Sequence, residues 1–187
     1  MKKMFALLLV SLVILGSVVS ALAYDEEITF QSIPWELSHK EAQKAFKKAF
    51  GKSASGYKSL MKGIEAYMRT AIKVENGQVE LVYEPVKIDV DVATIQEKIA
   101  GYSTENVVFG FFCPEKNKAT LQEITVNFKT TDIQEVAEKA EVLIEYYTEI
   151  YGEHYSFEQG FGPCACWIGA EQTYVCVLSA DHSLSVA

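Results

Sequence analysis

The chain has 187 residues, 49% of them hydrophobic and 22% charged, with a formal net charge of −8 at pH 7. That balance excludes a disordered chain, and an acidic surface repels phosphate backbones and anionic lipid heads, so neither nucleic acid nor an anionic membrane is an expected partner. A single arginine, Arg69, leaves no guanidinium cluster for a dedicated phosphate or carboxylate clamp.

Residues 1–23 read as a secretory signal peptide. Lys2 and Lys3 supply the positive start, Phe5 to Leu15 is an apolar run broken only by Ser11, and Ala21-Leu22-Ala23 is a small-x-small cleavage site. Residues 4–23 carry no charge and are just long enough to span a bilayer, but Gly16, Ser17 and the Ala-x-Ala end suit a peptidase better than a lasting anchor. The expected product is residues 24–187, one domain outside the cytoplasmic membrane (secreted or periplasmic) with no stable membrane anchor. Its net charge is −10 once both lysines are gone.

Ile28 to Gln31 alternates apolar and polar and predicts a first strand, ended by Pro34. Ser38 followed three residues later by Glu41 is a capping box. Ala42, Ala45, Phe46, Ala49 and Phe50 then recur at helical spacing, and Gly51 sits at the C-terminal cap position. His39, in the first turn, is expected on the solvated surface. Leu60, Met61, Ile64, Tyr67, Met68, Ala71 and Ile72 predict a second helix over 57–72. Asn76-Gly77 is a turn signal. Val79 to Tyr83 and Val86 to Val92 alternate and predict two half-buried strands around Pro85. Asp89 and Asp91 share one face of the second, but a pair lacks the six to eight oxygens that Ca²⁺ takes, so they are read as a solvated strand face.

Val107 to Phe112 is apolar on both faces, as a central strand is, and Thr120 to Phe128 is its expected partner. Thr130-Thr131-Asp132 caps a third helix, whose core positions run from Ile133 to Ile150 and which Gly152 ends. Its glutamates, among them Glu141, Glu145 and Glu149, form a solvated face. After a Gly-bearing loop, Cys164–Ile168 and Thr173–Ser179 predict a closing hairpin, with a short last strand at Leu184–Val186. No internal repeat is evident. Segregated helices and strands predict an α+β fold: a mainly antiparallel sheet with about three helices packed on one face.

Cys113, Cys164, Cys166 and Cys176 are candidates for disulfides, because an exported chain meets a compartment where disulfides persist. The hairpin sets Cys176 across from Cys164 to Cys166, and directly opposed Cβ atoms lie about 4.5–5.5 Å apart, slightly wide of the usual disulfide span. Cys166–Cys176 and Cys164–Cys176 both fit, with Cys113 open to the remaining partner. Cys164 and Cys166 are too closely spaced for a zinc knuckle, so no metal site is expected. A cysteine nucleophile with His154 or His182 as base is the alternative chemistry. No G-x-S-x-G elbow, H-E-x-x-H helix, Walker loop or G-x-G-x-x-G turn is present. No catalytic residue and no cofactor are therefore expected.

The Ile33-Pro34-Trp35 opening, the capped helix, the Ile99-Ala100-Gly101-Tyr102 lead into an aromatic strand and a late helix ending in Tyr151-Gly152 together resemble a group of small secreted or lipid-anchored bacterial proteins of uncharacterised function. In that group the Trp is followed by Gly-Ser or Gly-Thr, where this chain has Glu36 and Leu37. The layout is also loosely similar to the α+β domains of the β-lactamase-inhibitor-protein and SmpA/OmlA lipoprotein type. The resemblance implies a non-catalytic module of the bacterial envelope or extracellular space, and it carries over no catalytic residue. The expected function is binding of a protein or small-molecule ligand, with Tyr155, Phe157 and Phe161 as the candidate surface. The alternative is an exported thiol-dependent enzyme using Cys164 or Cys166.

Overall fold

Four side chains decide how the chain enters its first helix. Ile28 and Ile33 are both buried, Trp35 Nε1 donates to the Ile28 carbonyl at 2.8 Å, and the Glu41 carboxylate accepts from Ser38 N at 3.0 Å. In the computed structural model, which describes residues 24, 26–75, 78–113, 118–130, 132–159, 162–170, 173–180 and 183–186, this leads into α1 (His39–Phe50). Ala42, Phe46 and Phe50 form its buried stripe. The strand expected at Ile28–Gln31 is instead a tight turn. Only an isolated bridge joins Phe30 to Ile33, and Gln31 and Ser32 have positive φ. Residues 1–23, read from the sequence as a signal peptide, lie outside the described residues.

A short 3₁₀ turn, Gly51–Ser53, leads to β1 (Ala54–Glu75) and β2 (Gln78–Ile95), a long antiparallel hairpin. Next come β3 (Lys98–Ile99), β4 (Tyr102–Phe112), β5 (Thr120–Phe128), α2 (Ile133–Tyr151), β6 (Tyr155–Gln159), β7 (Gly162–Ile168), β8 (Tyr174–Ala180) and β9 (Ser183–Val186). One antiparallel sheet runs β1-β2-β4-β5-β9-β8-β7-β6, with β3 paired to β4. The order is a palindrome. A helix followed by a four-stranded meander occurs twice, α1 with β1, β2, β4 and β5, then α2 with β6 to β9, and the halves join through their last strands. The repeat lives in the topology and not in the residues.

This architecture corrects the α+β expectation of about three helices on a sheet. Strands take up more than half of the described residues, two α-helices stand among them, and the fold is largely β. The error is local to residues 57–72, which belong to β1. Between Ser59 and Tyr67 the strand is bulged repeatedly: Ser59 pairs with Asp91, Met61 with Val90, Ile64 with Ile88 and Tyr67 with Val86. Each bulge adds residues on β1 that β2 does not match, so Met61, Ile64 and Tyr67 recur every third position and imitate one face of a helix. The imitation fails at burial, since Leu60, Met61 and Met68 are 51%, 49% and 52% exposed. Pro85 does not split β2. It lies beyond the stretch paired with β4 (Ile88–Ala93), where among the described residues β2 pairs with β1 alone and a missing N–H breaks no second ladder.

The two faces of the sheet are covered differently. Val107, Phe109 and Phe111 of β4, Ile124 and Val126 of β5 and Trp167 of β7 point into one core shared with both helices. There Phe46 packs its ring against Phe50, Tyr57 and Phe109 at centroid distances of 5.1, 5.9 and 5.3 Å, and burying a side chain of that size contributes about 1.5–3 kcal/mol. On the other face Ile88, Val90 and Phe112 form a small second cluster under Ile64, Tyr67 and Val86 of the hairpin. Arg69 lies over the Phe112 ring at 4.8 Å, and Tyr67 donates to Glu123 at 3.3 Å.

Candidate functional site

Asp132 starts α2 by accepting from Glu135 N at 2.9 Å, and Gly152, at φ 81°, ends it. The turn after Gly152 is fixed from the core side, because Trp167 Nε1 donates to the Gly152 carbonyl at 3.0 Å. The chain then returns as β6, the stretch expected to be a loop, pairing Tyr155 with Cys166 and Phe157 with Cys164.

These constraints leave a groove of about 1000 Å³ between α2 and the β6–β7 edge. Ile144, Phe157 and Pro163 give it apolar walls, while Cys164 and His154 lie along it. Glu141, Glu145 and Glu149 also line it. Spaced four apart, these three exposed carboxylates fall on one helix face. They belong to the face read from sequence as merely solvated. His154 Nδ1 faces Thr148 Oγ1 at 3.1 Å and its ring lies 5.2 Å from that of Trp167; burial holds its imidazole below the ordinary value.

Of the aromatic candidates, Phe157 lines the groove and Tyr155 does not; Phe161 lies outside the described residues, as does His182. The cysteines sort by strand. Cys166 and Cys176 are directly opposed in the β7–β8 ladder, Cys164 is next along the same face of β7, and Cys113 stands apart at the end of β4. None of the four is disulfide-bonded here, with cysteines approaching to 3.1 Å. Cys164 and Cys166 are 2% and 0% exposed. The Ser179 N–H donates to Cys164 Sγ at 3.4 Å. Burial, then the neighbouring Cys166 and Cys164, push the Cys176 thiol well above its ordinary value. Among the described residues no group of three or more His, Cys, Asp or Glu side chains is placed to hold a metal ion.

Sequence reasoning missed a second cluster entirely. His39 is not a solvated surface residue, nor are Asp89 and Asp91 a solvated face. His39 Nδ1 meets Asp91 Oδ2 at 2.8 Å, its Nε2 meets Asp89 Oδ2 at 3.2 Å, and its ring stacks on Phe111 at 3.8 Å. Tyr57 donates to Asp91 Oδ2 at 3.1 Å, and the Gly63 N–H donates to Asp89 Oδ1 at 2.6 Å. Both ring nitrogens of His39 meet aspartate oxygens of β2, so the cluster pins the first turn of α1 to that strand. Asp91 is 2% exposed, and its Oδ1 is buried without a partner. Burial, followed by the Asp91 charge, raises the Tyr57 phenol far above its ordinary value. No spacing signal joins position 39 to positions 89 and 91; only the packing of α1 against the sheet does.

Comparison of the chain with protein-family models, with curated proteins and with solved structures gives no significant match in any of the three.

Proposed function

We infer that the chain is an exported, non-catalytic binding module of the bacterial envelope or extracellular space, whose ligand groove lies between α2 and β6–β7. The supporting observation is the groove itself, a concavity of about 1000 Å³ with an apolar wall at Ile144 and Phe157 and three carboxylates on its helical side. A large concavity with apolar walls and a few convergent polar groups is the usual form of a ligand site. Glu141, Glu145 and Glu149 select the charge: the favoured ligand, or peptide side chain, has an apolar body and a cationic end.

The test is an NMR titration of residues 24–187 with phenethylamine and, separately, with phenylacetate, which carries the same ring on an anion. The amine shifts the resonances of Phe157, His154 and Ile144, and the acid does not. Phe157→Ala together with Glu145→Gln abolishes the amine response. Equal responses to both probes, or none to either, overturn the reading.

The alternative, an exported thiol-dependent enzyme, draws on Cys164 and His154 both lining the groove. It is the weaker reading because a reactive thiolate has to be reachable, and neither Cys164 nor Cys166 is exposed by more than 2%. Rapid alkylation of Cys164 by iodoacetamide in the native protein reverses that preference.

A further inference from the structure

A second concavity, of about 270 Å³, lies against the first turn of α1 and the start of β1. Its charge is opposite to that of the groove and to that of the chain as a whole. Lys40, Lys58 and Lys62 line it together with Gln43 and Ser59. None of the three lysines is in an ion pair among the described residues. The nearby carboxylates are already engaged: Asp89 with His39 and the Gly63 N–H, Asp91 with His39 and Tyr57. Set against Asp91, the carboxylate that lines the cleft, the three lysines give it a net positive charge of about two.

We propose that this cleft is a binding site for a small phosphate monoester carrying a free hydroxyl. A dianion balances the cleft. Lysine recognises phosphate as a point charge without the planar fork of arginine, which suits a chain whose one arginine is occupied over Phe112. Ser59 and Gln43 supply neutral donors for the remaining phosphate oxygens. The hydroxyl is called for by the inner wall, where Tyr57 and Asp91 line the cleft and the Tyr57 phenol oxygen, which donates to Asp91, keeps lone pairs to accept from it. The volume admits a phosphate with a few carbons and excludes a nucleic-acid strand. The site is independent of the α2 groove.

The test is calorimetric titration of residues 24–187 with glycerol 3-phosphate, with inorganic phosphate and with acetate, at low and at moderate salt. Glycerol 3-phosphate binds more tightly than inorganic phosphate, acetate does not bind, and added salt weakens both phosphates. Lys58→Ala with Lys62→Ala, two exposed positions that leave the core untouched, weakens glycerol 3-phosphate by about tenfold or more. Lys44→Ala with Lys48→Ala, on α1 but outside the cleft, leaves it unchanged. The proposal is overturned by no saturation up to about 10 mM at low salt, by equal binding of acetate, or by unchanged affinity in the Lys58/Lys62 double variant. None of these results bears on the amine titration of the α2 groove, so the two sites fail separately.

Discussion

Replacing His39 with alanine separates a surface histidine from a structural one. The substitution removes both carboxylate contacts, at 2.8 and 3.2 Å, and the ring stacked on Phe111. Asp91 stays behind at 2% exposure with only the Tyr57 hydroxyl as partner and its Oδ1 still unpaired. Leaving a buried acceptor unsatisfied costs about 1–3 kcal/mol, and losing a stacked ring pair costs about 0.5–1.5 kcal/mol. Because His39 is 32% exposed and water takes up part of the loss, the expected destabilisation is about 2–3 kcal/mol. For a domain of this size that lowers Tm by about 4–12 °C.

The assay is urea unfolding followed by tryptophan fluorescence, with a thermal melt alongside. The cycle is closed with Asp91→Asn, which removes the charge but keeps an acceptor for Tyr57. The double variant is expected to be less destabilised than the sum of the singles by about 1 kcal/mol or more. A His39→Ala change within about 0.5 kcal/mol, the ordinary surface value, refutes the reasoning and restores the solvated reading of His39.

Glu123 gives a pH test: burial is the largest influence and raises its carboxyl pKa, outweighing hydrogen bonds from Thr125 and Tyr67. A raised folded value means stability that is fully present below the unfolded value near 4.5 and lost as pH rises through the folded value, so Glu123→Gln raises Tm at pH 7 and leaves it unchanged near pH 4; a uniform loss at both pH values counts against it. Gly169→Ala drives a Cβ to 2.6 Å from the Glu26 carbonyl and 2.7 Å from Ile28 Cγ1, and overpacking of that kind costs about 1–3 kcal/mol; wild-type stability in a denaturant titration defeats this expectation. When the reduced, unfolded chain is refolded with glutathione disulfide as oxidant, Cys166 and Cys176 couple through a mixed disulfide while the oxidant is reduced to two glutathione thiols. Alkylation after denaturation and peptide mapping then label Cys113 and Cys164 only, whereas labelling of all four refutes the pairing.

How far the sequence could be read varied from element to element for identifiable reasons. α1 was readable because the Ser38–Glu41 pair and the Ala42, Phe46 and Phe50 positions act within one or two turns. α2 was readable because its apolar spacing and the Asp132 cap are equally local. β4 and β5 were readable because their runs are long and bounded by turns. β1 was misread because bulges set by its register against β2 changed its period from two to three, and a register belongs to two strands at once. β6 was missed because its alternation, Tyr155-Ser156-Phe157-Glu158, is only four residues long and becomes a strand only when β7 lies beside it.

Of the groove, Phe157 was identified as a surface aromatic, and the Glu141, Glu145 and Glu149 face was recognised as polar. Their convergence on one concavity depends on where α2 packs. By itself, then, the sequence determined the two helices, the apolar central strands, the acidic balance and the set of cysteines, because these follow from interactions between residues close along the chain. The tertiary structure alone decided the palindromic sheet, the register that sets Cys166 rather than Cys164 directly opposite Cys176, and the joining of His39 to Asp89 and Asp91. Each of these brings together residues ten to fifty positions apart or more, and no local propensity encodes a contact at that range.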